Sequence, residues 1–334
     1  MEKIHVVIYG CGVIGRKIAQ VLMDKKSFEV VGAIDIDPEI IGKDLGEVLG
    51  IQKKLGIRIE KDIEAITSRV KAQAVVLTTS SHIRSVFPQI IRCLQAGLNV
   101  VTTSEELSFP WRRDPDLALE IDRLAKEHKV TVVGTGINPG YLMDTLPLTL
   151  TAPCLSVKSI RVKRMINSAK RRAPFQVKVG TGLTLEEFRE KIKNKSITGH
   201  VGLLESINMI AEGLGWELDE ARELPPEPVV SEEEIKTTVG EVQPGYVVGL
   251  TSVAYGNKEG KAVITLEFHA NAAVDEEYDE IIIEGEPHIH QKIMGGVHGD
   301  IGTVAVTINT IPRAIEAPAG LKVMKDLPPP SAVL

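Results

Sequence analysis

The chain has 334 residues, 43% hydrophobic and 25% charged, with a formal net charge of −6. This length allows two domains, and this composition is typical of a globular protein. Dispersed basic residues argue against nucleic-acid binding, three scattered cysteines against a disulfide framework, and the absence of an apolar run near ~18 residues against a membrane span. Because no basic-then-apolar leader precedes the first predicted strand, we expect a cytoplasmic protein.

A predicted strand over residues 4–9 leads into the glycine-rich turn Gly10-Cys11-Gly12-Val13-Ile14-Gly15 and then a helix. Asp35 stands twenty residues beyond Gly15, at the end of a second apolar strand. Gly10 allows a tight turn, Gly12 a close approach of the backbone to a pyrophosphate, and Gly15 close packing of helix on strand. The free N–H groups of the helix start would hold the phosphate charge. This constellation predicts a dinucleotide site.

Asp35 bears on which nicotinamide cofactor binds. Its carboxylate can accept two hydrogen bonds from the adenosine ribose and would repel a 2′-phosphate. The next residue, Ile36, stands where an NADP site often has an arginine. The sequence therefore favours NAD, while Lys43 leaves NADP possible because a loop lysine can reach a phosphate.

Short apolar strands alternate with amphipathic helices through the first half of the chain, which predicts an α/β fold with a Rossmann-type doubly wound parallel sheet. Ligands bind such sheets beyond the carboxyl ends of the strands. The small and polar residues gather at five such ends, namely Gly10–Gly15, Asp35, Thr78–Ser81, Ser104–Glu106 and Thr135–Gly140. We therefore expect Thr79, Ser80 and Ser81 to contact the cofactor.

The pattern changes after Pro147, where longer strands are predicted over 157–166, 245–255, 262–272 and 278–284. They indicate an α+β domain with a largely antiparallel sheet, for substrate binding and dimerisation. A late helix over 302–317 is expected to pack back onto the first domain. The predicted division is 1–146 for dinucleotide binding, 147–298 for substrate and dimerisation, and 299–334 as the returning segment.

Two adjacent acids, Glu105 and Glu106, follow the predicted strand that ends at Ser104. Adjacent side chains point in different directions, so at most one faces the cofactor. The aromatic segment after them can shield a carboxylate from water, and partial desolvation favours proton transfer near neutral pH. The residues alone leave open which acid acts, and whether both simply begin a solvated loop.

A second converging segment contains Asn138, Pro139 and Gly140. The Asn138 amide offers a donor and an acceptor, which suits a nicotinamide carboxamide or a polar group of a substrate. An alternative role for Asn138 is to cap a helix. Pro139 and Gly140 are predicted to start that helix.

The histidines permit two kinds of site. His288, His290 and His298 lie close in sequence, but no cysteine joins them and a glycine pair interrupts the segment, so a metal site is not favoured. His200 opens a predicted helix over 200–213, and it is a candidate substrate contact.

Four segments together resemble the 2,4-diaminopentanoate dehydrogenases and the related native amine dehydrogenases, which are distant relatives of dihydrodipicolinate reductase. They are VVTTSEELSFPW at 100–111, GTGINPGYLMD at 134–144, GHVGLLES at 199–206, and residues 299–328. The resemblance covers nearly the whole chain. It implies NAD(P)-dependent oxidative deamination of an amine to a ketone, reductive amination with ammonia in reverse, and a homodimer.

The resemblance also implies roles for particular residues. The catalytic glutamate of the family maps onto Glu105, with Glu106 as the rival. The Asn-Pro-Gly of the family maps onto Asn138-Pro139-Gly140, beside the nicotinamide and the substrate. A substrate-domain strand of the family is similar to 162–166, which makes Arg164 a candidate for the substrate pocket.

Three alternative functions remain: a reductase like dihydrodipicolinate reductase, a reductase like homoserine dehydrogenase, and a non-catalytic NAD(H) sensor. The paired-histidine and Lys-x-Asp-x-Pro-Ser-Gly-Thr segments of dihydrodipicolinate reductase do not occur here, and the catalytic segment of homoserine dehydrogenase carries lysine in place of Glu105. A non-catalytic NAD(H) sensor has no sequence feature in its favour. No carboxylate clamp is evident, although Arg164, Arg171 and Arg172 could supply one.

Overall fold

The structure is a computed structural model that describes residues 2–333. These residues form two compact units. Unit 1 contains residues 2–141 and 299–333, and unit 2 contains residues 142–298.

The secondary structure alternates strand and helix in the first part of the chain and is dominated by strands later. In chain order the strands are β1 (Ile4–Tyr9), β2 (Phe28–Ile34), β3 (Ile59–Glu60), β4 (Ala74–Leu77), β5 (Asn99–Thr102), β6 (Thr131–Gly134), β7 (Ser156–Asn167), β8 (Glu220–Glu223), β9 (Glu227–Val230), β10 (Ile235–Thr237), β11 (Gly240–Val242), β12 (Val247–Lys258), β13 (Lys261–Asn271), β14 (Tyr278–Glu286), β15 (Ile289–Met294) and β16 (Gly320–Lys322). The α-helices are α1 (Val13–Asp24), α2 (Leu45–Val48), α3 (Glu64–Thr67), α4 (Ile83–Gln95), α5 (Pro115–Glu127), α6 (Thr145–Leu150), α7 (Ala173–Lys178), α8 (Leu185–Lys193), α9 (Leu203–Gly213) and α10 (Gly299–Glu316). Short 3₁₀ helices occupy Glu105–Ser108, Ser168–Lys170 and Met324–Asp326.

Unit 1 contains a seven-stranded parallel sheet in the order β16-β6-β5-β4-β1-β2-β3. Helices α1 and α10 pack beside each other, as do α4 and α5, and each pair contacts strands of the sheet. The four residues of β4 are completely buried, as expected for a central strand covered on both faces. The predicted Rossmann-type fold is confirmed.

Helix α1 shows why the first crossover forms. Its buried residues Gly15, Ile18, Ala19 and Leu22 recur at the spacing of one helical face. They pack toward β2, while Lys17 and Asp24 face solvent. The helix therefore returns the chain to the amino end of β2, and β2 then runs parallel to β1 and ends next to Asp35.

Unit 2 contains a mixed sheet in the order β15-β14-β7-β13-β12-β8, with β9 also paired to β12. Its strand pairs are antiparallel except for β7 with β13, which run parallel. Buried and half-buried residues alternate along β7, β12 and β13, so the sheet has one buried face and one partly exposed face. Helix α9 packs against β12 and β13.

The sequence missed several short elements of the structure. The parallel edge strand β16, the helix α7 and the small strands β8 to β11 were not predicted. Such short elements carry too few residues for a periodic pattern. Within residues 2–333, no helix has both the length and the apolar character required to cross a membrane.

Candidate active site

The glycine-rich turn in unit 1 has the geometry of a phosphate cradle. Gly10 has a φ of +103°, which favours glycine, and a Cβ on Gly15 would lie only 1.8 Å from the carbonyl oxygen of Gly10. A Cβ on Gly12 would meet no atom within 4 Å, and Gly12 is the N-cap of α1 without a side-chain cap. Free space therefore lies in front of uncapped N–H groups, which fits a pyrophosphate.

Cys11 fills space inside this turn. Its side chain is 1% exposed, and Sγ lies 3.7 Å from the carbonyl oxygen of Ile34. Burial, with a smaller contribution from the charge of Asp35, raises the pKa of the thiol to about 12. The thiol is therefore protonated and unreactive at neutral pH, and Cys11 contributes to the site through its backbone.

Asp35 is fixed at the end of β2 by three backbone donors. The N–H of Cys11 donates to Oδ2 at 2.5 Å, and the N–H groups of Ile36 and Asp37 donate to Oδ1 at 2.7 and 2.9 Å. These bonds orient the carboxylate beside the glycine turn. The orientation suits an acceptor for ribose hydroxyls.

A cavity of about 460 Å³ opens next to Asp35, lined by Ile36, Pro38, Ile41 and Lys61. Ile36 is 78% exposed beside this cavity. Apolar walls of this kind suit a flat ring such as adenine. Ile36 was predicted from the sequence but the other three residues were not, because Pro38 and Ile41 lie in the loop after β2 whereas Lys61 follows β3.

The predicted residues Thr79, Ser80 and Ser81 lie just beyond β4, and each makes a local hydrogen bond. The Thr79 hydroxyl donates to Gln89 Oε1 at 2.5 Å, and Ser80 Oγ accepts from the N–H of His82 at 3.2 Å. The Ser81 carbonyl accepts from the N–H of Glu106 at 3.1 Å. This segment therefore joins β4 to the loop that carries the two acids.

The structure distinguishes Glu105 from Glu106 by their partners. Glu106 is 8% exposed: Oε2 accepts from the N–H of Ile83 at 2.9 Å, while Oε1 lies 3.0 Å from His82 Nδ1 and 3.3 Å from an Arg113 Nη1. Glu106 thus ties its loop to the first turn of α4. Glu105 Oε2, by contrast, is buried and has no hydrogen-bond partner among the described residues.

Packing around the 3₁₀ helix Glu105–Ser108 holds Glu105 in place. The Ser108 hydroxyl donates to the carbonyl oxygen of Glu105 at 2.7 Å. A Cβ on Gly134 would lie 2.4 Å from the backbone of Leu107, so only glycine at the end of β6 admits this helix. Next to Gly134, Thr135 Oγ1 is also buried without a hydrogen-bond partner among the described residues, a residue that the sequence analysis did not single out.

Asn138 and Pro139 follow β6 in a turn. Asn138 is 9% exposed and the Asn138-Pro139 peptide bond is cis. The turn rests on α10, because the N–H of Ile137 donates to Thr303 Oγ1 at 3.4 Å. The predicted helix start at Pro139 is wrong: residues 138–144 form turns and α6 begins at Thr145, where the Asp144 carboxylate accepts the Thr145 N–H.

Arg164 requires a correction to its predicted contact with substrate. Its side chain is 2% exposed in unit 2, Nη2 donates to the carbonyl oxygen of Val297 at 2.5 Å, and Nε lies 3.3 Å from Asp279 Oδ1. Asp279 Oδ2 in turn accepts from the N–H of Val297 at 2.7 Å. Burial lowers the pKa of Arg164 and raises that of Asp279. The pair therefore fixes the segment before α10 rather than offering a cation to a ligand.

His200 lies in unit 2, ahead of α9 rather than within it, since the helix begins at Leu203. The residue is half-buried, and its ring stacks on Phe268 with 4.4 Å between centroids and 16° between planes. Burial, then the charges of Lys178 and Arg164, lower the pKa of His200 well below its ordinary value. The imidazole is therefore neutral at neutral pH.

Two of the remaining candidate histidines, His288 and His290, each lie close to a glutamate. His290 Nε2 lies 2.9 Å from Glu280 Oε1, and His288 Nδ1 lies 3.3 Å from Glu284 Oε2. No group of three or more His, Cys, Asp or Glu side chains within residues 2–333 is arranged to hold a metal ion.

Two family models match the chain. The 2,4-diaminopentanoate dehydrogenase C-terminal domain matches residues 141–334, and the dihydrodipicolinate reductase N-terminus matches residues 4–106. The reductase model thus covers only the dinucleotide-binding part.

Individual relatives match nearly the whole chain. The chain is 36% identical to a 2,4-diaminopentanoate dehydrogenase of Acetoanaerobium sticklandii, over 100% of this chain and 96% of the relative. It is 26% identical to an amine dehydrogenase of Streptomyces virginiae, over 97% and 96% of the two chains. Among solved structures, an amine dehydrogenase from Mycobacterium smegmatis superposes with a TM-score of 0.84 at 26% identity, covering 98% of this chain and 97% of that one.

Proposed function

The chain belongs to the 2,4-diaminopentanoate dehydrogenase family, and on this premise we propose that it is a nicotinamide-dependent dehydrogenase of CH–NH2 groups. It deaminates a small amine or diamino acid to a ketone, and in reverse it aminates the ketone with ammonia. The observation that carries the proposal is the buried, unpartnered carboxylate oxygen of Glu105, in the same unit as a glycine turn that fits a dinucleotide.

The residues of unit 1 fit the cofactor. The uncapped start of α1, at Gly12 and Val13, would hold the pyrophosphate. Asp35 would accept the ribose hydroxyls, and Ile36 would lie against the adenine. When bound, a nicotinamide supplies the acceptor for a hydride. Asn138, at the end of β6, would bind the carboxamide or a polar group of the substrate.

Glu105 supplies the acid–base chemistry. Loss of a hydride from the amine carbon leaves a cationic iminium, which a negative carboxylate stabilises. Water then adds to the iminium carbon and Glu105 accepts a proton from it. Glu105 returns that proton to the nitrogen, the C–N bond breaks, and the hydroxyl proton of the carbinolamine passes to the departing ammonia, so that ammonium leaves and a ketone remains. In reverse the same carboxylate guides ammonium toward the ketone.

The reductive direction gives the first test. Purified protein is mixed with NADH and a panel of small ketones and aldehydes, including 2-amino-4-oxopentanoate, with and without ammonium. We expect NADH oxidation only with ammonium, because the hydride is accepted by an imine. Oxidation without ammonium would instead establish an alcohol dehydrogenase, and tight NADH binding without any oxidation would favour a sensor.

We further propose that the cofactor is NAD. Asp35→Asn removes the charge that would repel a 2′-phosphate while keeping a side chain of the same shape. We expect the ratio of kcat/KM for NAD to that for NADP to fall by about 10-fold or more, as for loss of a charged hydrogen bond. Steady-state kinetics with both cofactors measures this ratio.

Asp37→Asn is the matched control, since Asp37 is an exposed neighbour whose carboxylate accepts only a local bond from the N–H of Glu39. That variant should keep the wild-type ratio. A wild-type protein that prefers NADP, or an Asp35→Asn variant with an unchanged ratio, would contradict the assignment.

We propose His200 as a substrate contact, because the residue is only half-buried and its imidazole is neutral. Arg164 is not proposed for this role, because it is buried and paired with Asp279. The small-molecule partners proposed are therefore the amine or ketone and ammonia.

We also propose a homodimer formed through the partly exposed face of the sheet in unit 2. A row across this face alternates in charge, in the order Glu267, Lys163, Glu280, Lys292, so a second copy in antiparallel orientation would meet opposite charges. Beside it lies Ile282, an apolar side chain on the same face. Such a surface suits a self-complementary two-fold contact.

Sedimentation velocity tests this assembly. The wild type should sediment as a dimer, and Ile282→Glu should shift it toward monomer by placing an unpaired charge in the contact. Glu39→Gln, an exposed change in unit 1, should leave the dimer intact. A monomeric wild type would exclude the proposed contact.

A further inference from the structure

A cavity of about 650 Å³ lies between α1 and α10 in unit 1. Both helices run from the carboxyl edge of the sheet to its amino edge, because α1 follows β1 and α10 leads into β16, which is parallel to β6. The lining extends from Val13 to Lys25 on the first helix, about 18 Å, and from Asp300 to Asn309 on the second. We call this cavity the helix groove. Its volume is typical of a small-molecule site.

The walls of the helix groove are aliphatic. Val21, Val304 and Ile308 line its length, and Val13 and Ile301 at the carboxyl edge are 60% and 64% exposed. No aromatic side chain is among the described residues that line it, so it offers no ring on which a nucleobase could stack. An aliphatic chain, by contrast, gains free energy in proportion to the apolar area that it covers.

The C-terminal segment closes the groove at the amino edge. The N–H of Val333 donates to Asn309 Oδ1 at 3.0 Å, and Lys25 Nζ donates to the carbonyl oxygen of Val333. The neighbouring residue, Ala332, lines the cavity. A ligand would therefore enter from the carboxyl edge, where Val13 and Ile301 are exposed, and extend toward Ala332.

The charged residues of the lining favour an anion. Arg16 and Lys17 form no ion pair with an acid among the described residues, whereas Asp300, the acid in the lining, already interacts within the protein. Arg16 Nε donates to the carbonyl oxygen of Cys11 at 2.5 Å, which leaves its other guanidinium N–H groups for a ligand. A two-fold contact of the groove with itself would bring the same cations together. Charge therefore favours an anionic ligand over a second copy of the chain.

We propose that the helix groove binds an aliphatic monocarboxylate of medium chain length. The carboxylate pairs with Arg16 and Lys17, and the chain lies along Val304 and Ile308 toward Ala332. This site is distinct from the one proposed for the substrate, and it shares with the cofactor site only Val13, whose N–H faces the pyrophosphate and whose side chain lines the groove. The inference does not depend on the proposed function.

Calorimetric titration of the wild type with hexanoate, octanoate and decanoate gives the first test. We expect the affinity to rise about 4-fold with each added methylene, the scale for burial of one CH2 group. Octan-1-ol, which has the chain of octanoate without its charge, should bind more weakly. Saturation with NADH should leave the octanoate affinity unchanged, because the carboxylate does not occupy the glycine turn.

Two outcomes of these titrations would overturn the inference. One is a wild type that binds none of the three carboxylates. The other is octanoate binding that disappears in the presence of NADH, since the carboxylate would then lie in the glycine turn. A wild type that binds octanoate but deaminates no amine would reject the proposed function alone.

Variants place the ligand in the groove. Ala305 is an exposed residue of the lining, so Ala305→Trp should fill the cavity and abolish octanoate binding. Lys17→Met should weaken octanoate about 2- to 5-fold, as for loss of one exposed ion pair. Lys26→Met is the matched control, because Lys26 is an exposed lysine just beyond α1 and outside the lining; it should bind octanoate as the wild type does.

Thermal melting and sedimentation velocity complete the test. Octanoate binding that survives in a folded Ala305→Trp would contradict the inference, and should that variant not fold, equal affinities of Lys17→Met and Lys26→Met would do the same. We expect Ala305→Trp to keep the oligomeric state of the wild type. A dimer lost in this variant, together with a wild type that does not bind octanoate, would assign the groove to a second copy instead.

Discussion

Replacing Glu105 with Gln is expected to lower turnover at least ~100-fold, the usual scale for loss of a general acid–base, while the affinity for NADH stays unchanged. The amide has the same shape but can neither accept the proton from water nor stabilise a cationic iminium by charge. Cofactor binding should persist, because the proposed contacts with NADH lie at the glycine turn and Asp35. Steady-state turnover and fluorescence titration with NADH measure the two quantities.

Glu106→Gln is the informative comparison. Glu106 is held by the N–H of Ile83, by His82 and by Arg113, so its replacement should lower the thermal midpoint through a weakened start of α4. The pH profile of its remaining turnover should keep the shape of the wild type, because Glu105 is still present. Retained turnover in Glu105→Gln, together with loss in a stable Glu106→Gln, would move the catalytic role to Glu106.

Replacing Arg164 with Met should destabilise the protein by about 3–5 kcal/mol, the cost of breaking a buried ion pair. The change leaves Asp279 charged in a site that is 4% exposed, and it removes the donor to the carbonyl oxygen of Val297. The measured quantity is the free energy of unfolding from urea titration. Steady-state kinetics are then measured at a temperature where the variant is folded. The factor by which KM for the amine rises should not exceed the factor by which kcat falls.

Arg123→Met provides the contrast on the surface. Arg123 pairs with Glu120 and Glu127 on α5 and is 57% exposed, so its loss should lower the free energy of unfolding far less than the loss of Arg164. An Arg164→Met protein as stable as the wild type, with a KM raised selectively for carboxylate-bearing substrates, would restore Arg164 to the substrate pocket.

The fold of unit 1 could be predicted because its signals are local. Each buried strand is a short apolar run, and α1, α4 and α5 have one apolar face. The glycine turn and Asp35 have a fixed spacing that follows from the geometry of cofactor binding. The fold and the family were both confirmed.

The interaction partners of individual side chains could not be predicted from the sequence. Glu105 and Glu106 are neighbours in an acidic pair, and only their partners from α4 and from the loop before α5 separate them. Arg164 looked available because Asp279, its partner, is 115 residues away and reaches it only through the pairing of β7 with β14.

The stoichiometry of the oxidative reaction tests the account most directly. Purified protein is supplied with NAD and 2,4-diaminopentanoate, and NADH and free ammonia are measured over the same interval. We predict that NADH and ammonia form in equal amounts, since each hydride removed from the amine carbon leads to loss of one nitrogen. NADH formed without ammonia would contradict it, because the oxidised bond would then not be that of a CH–NH2 group.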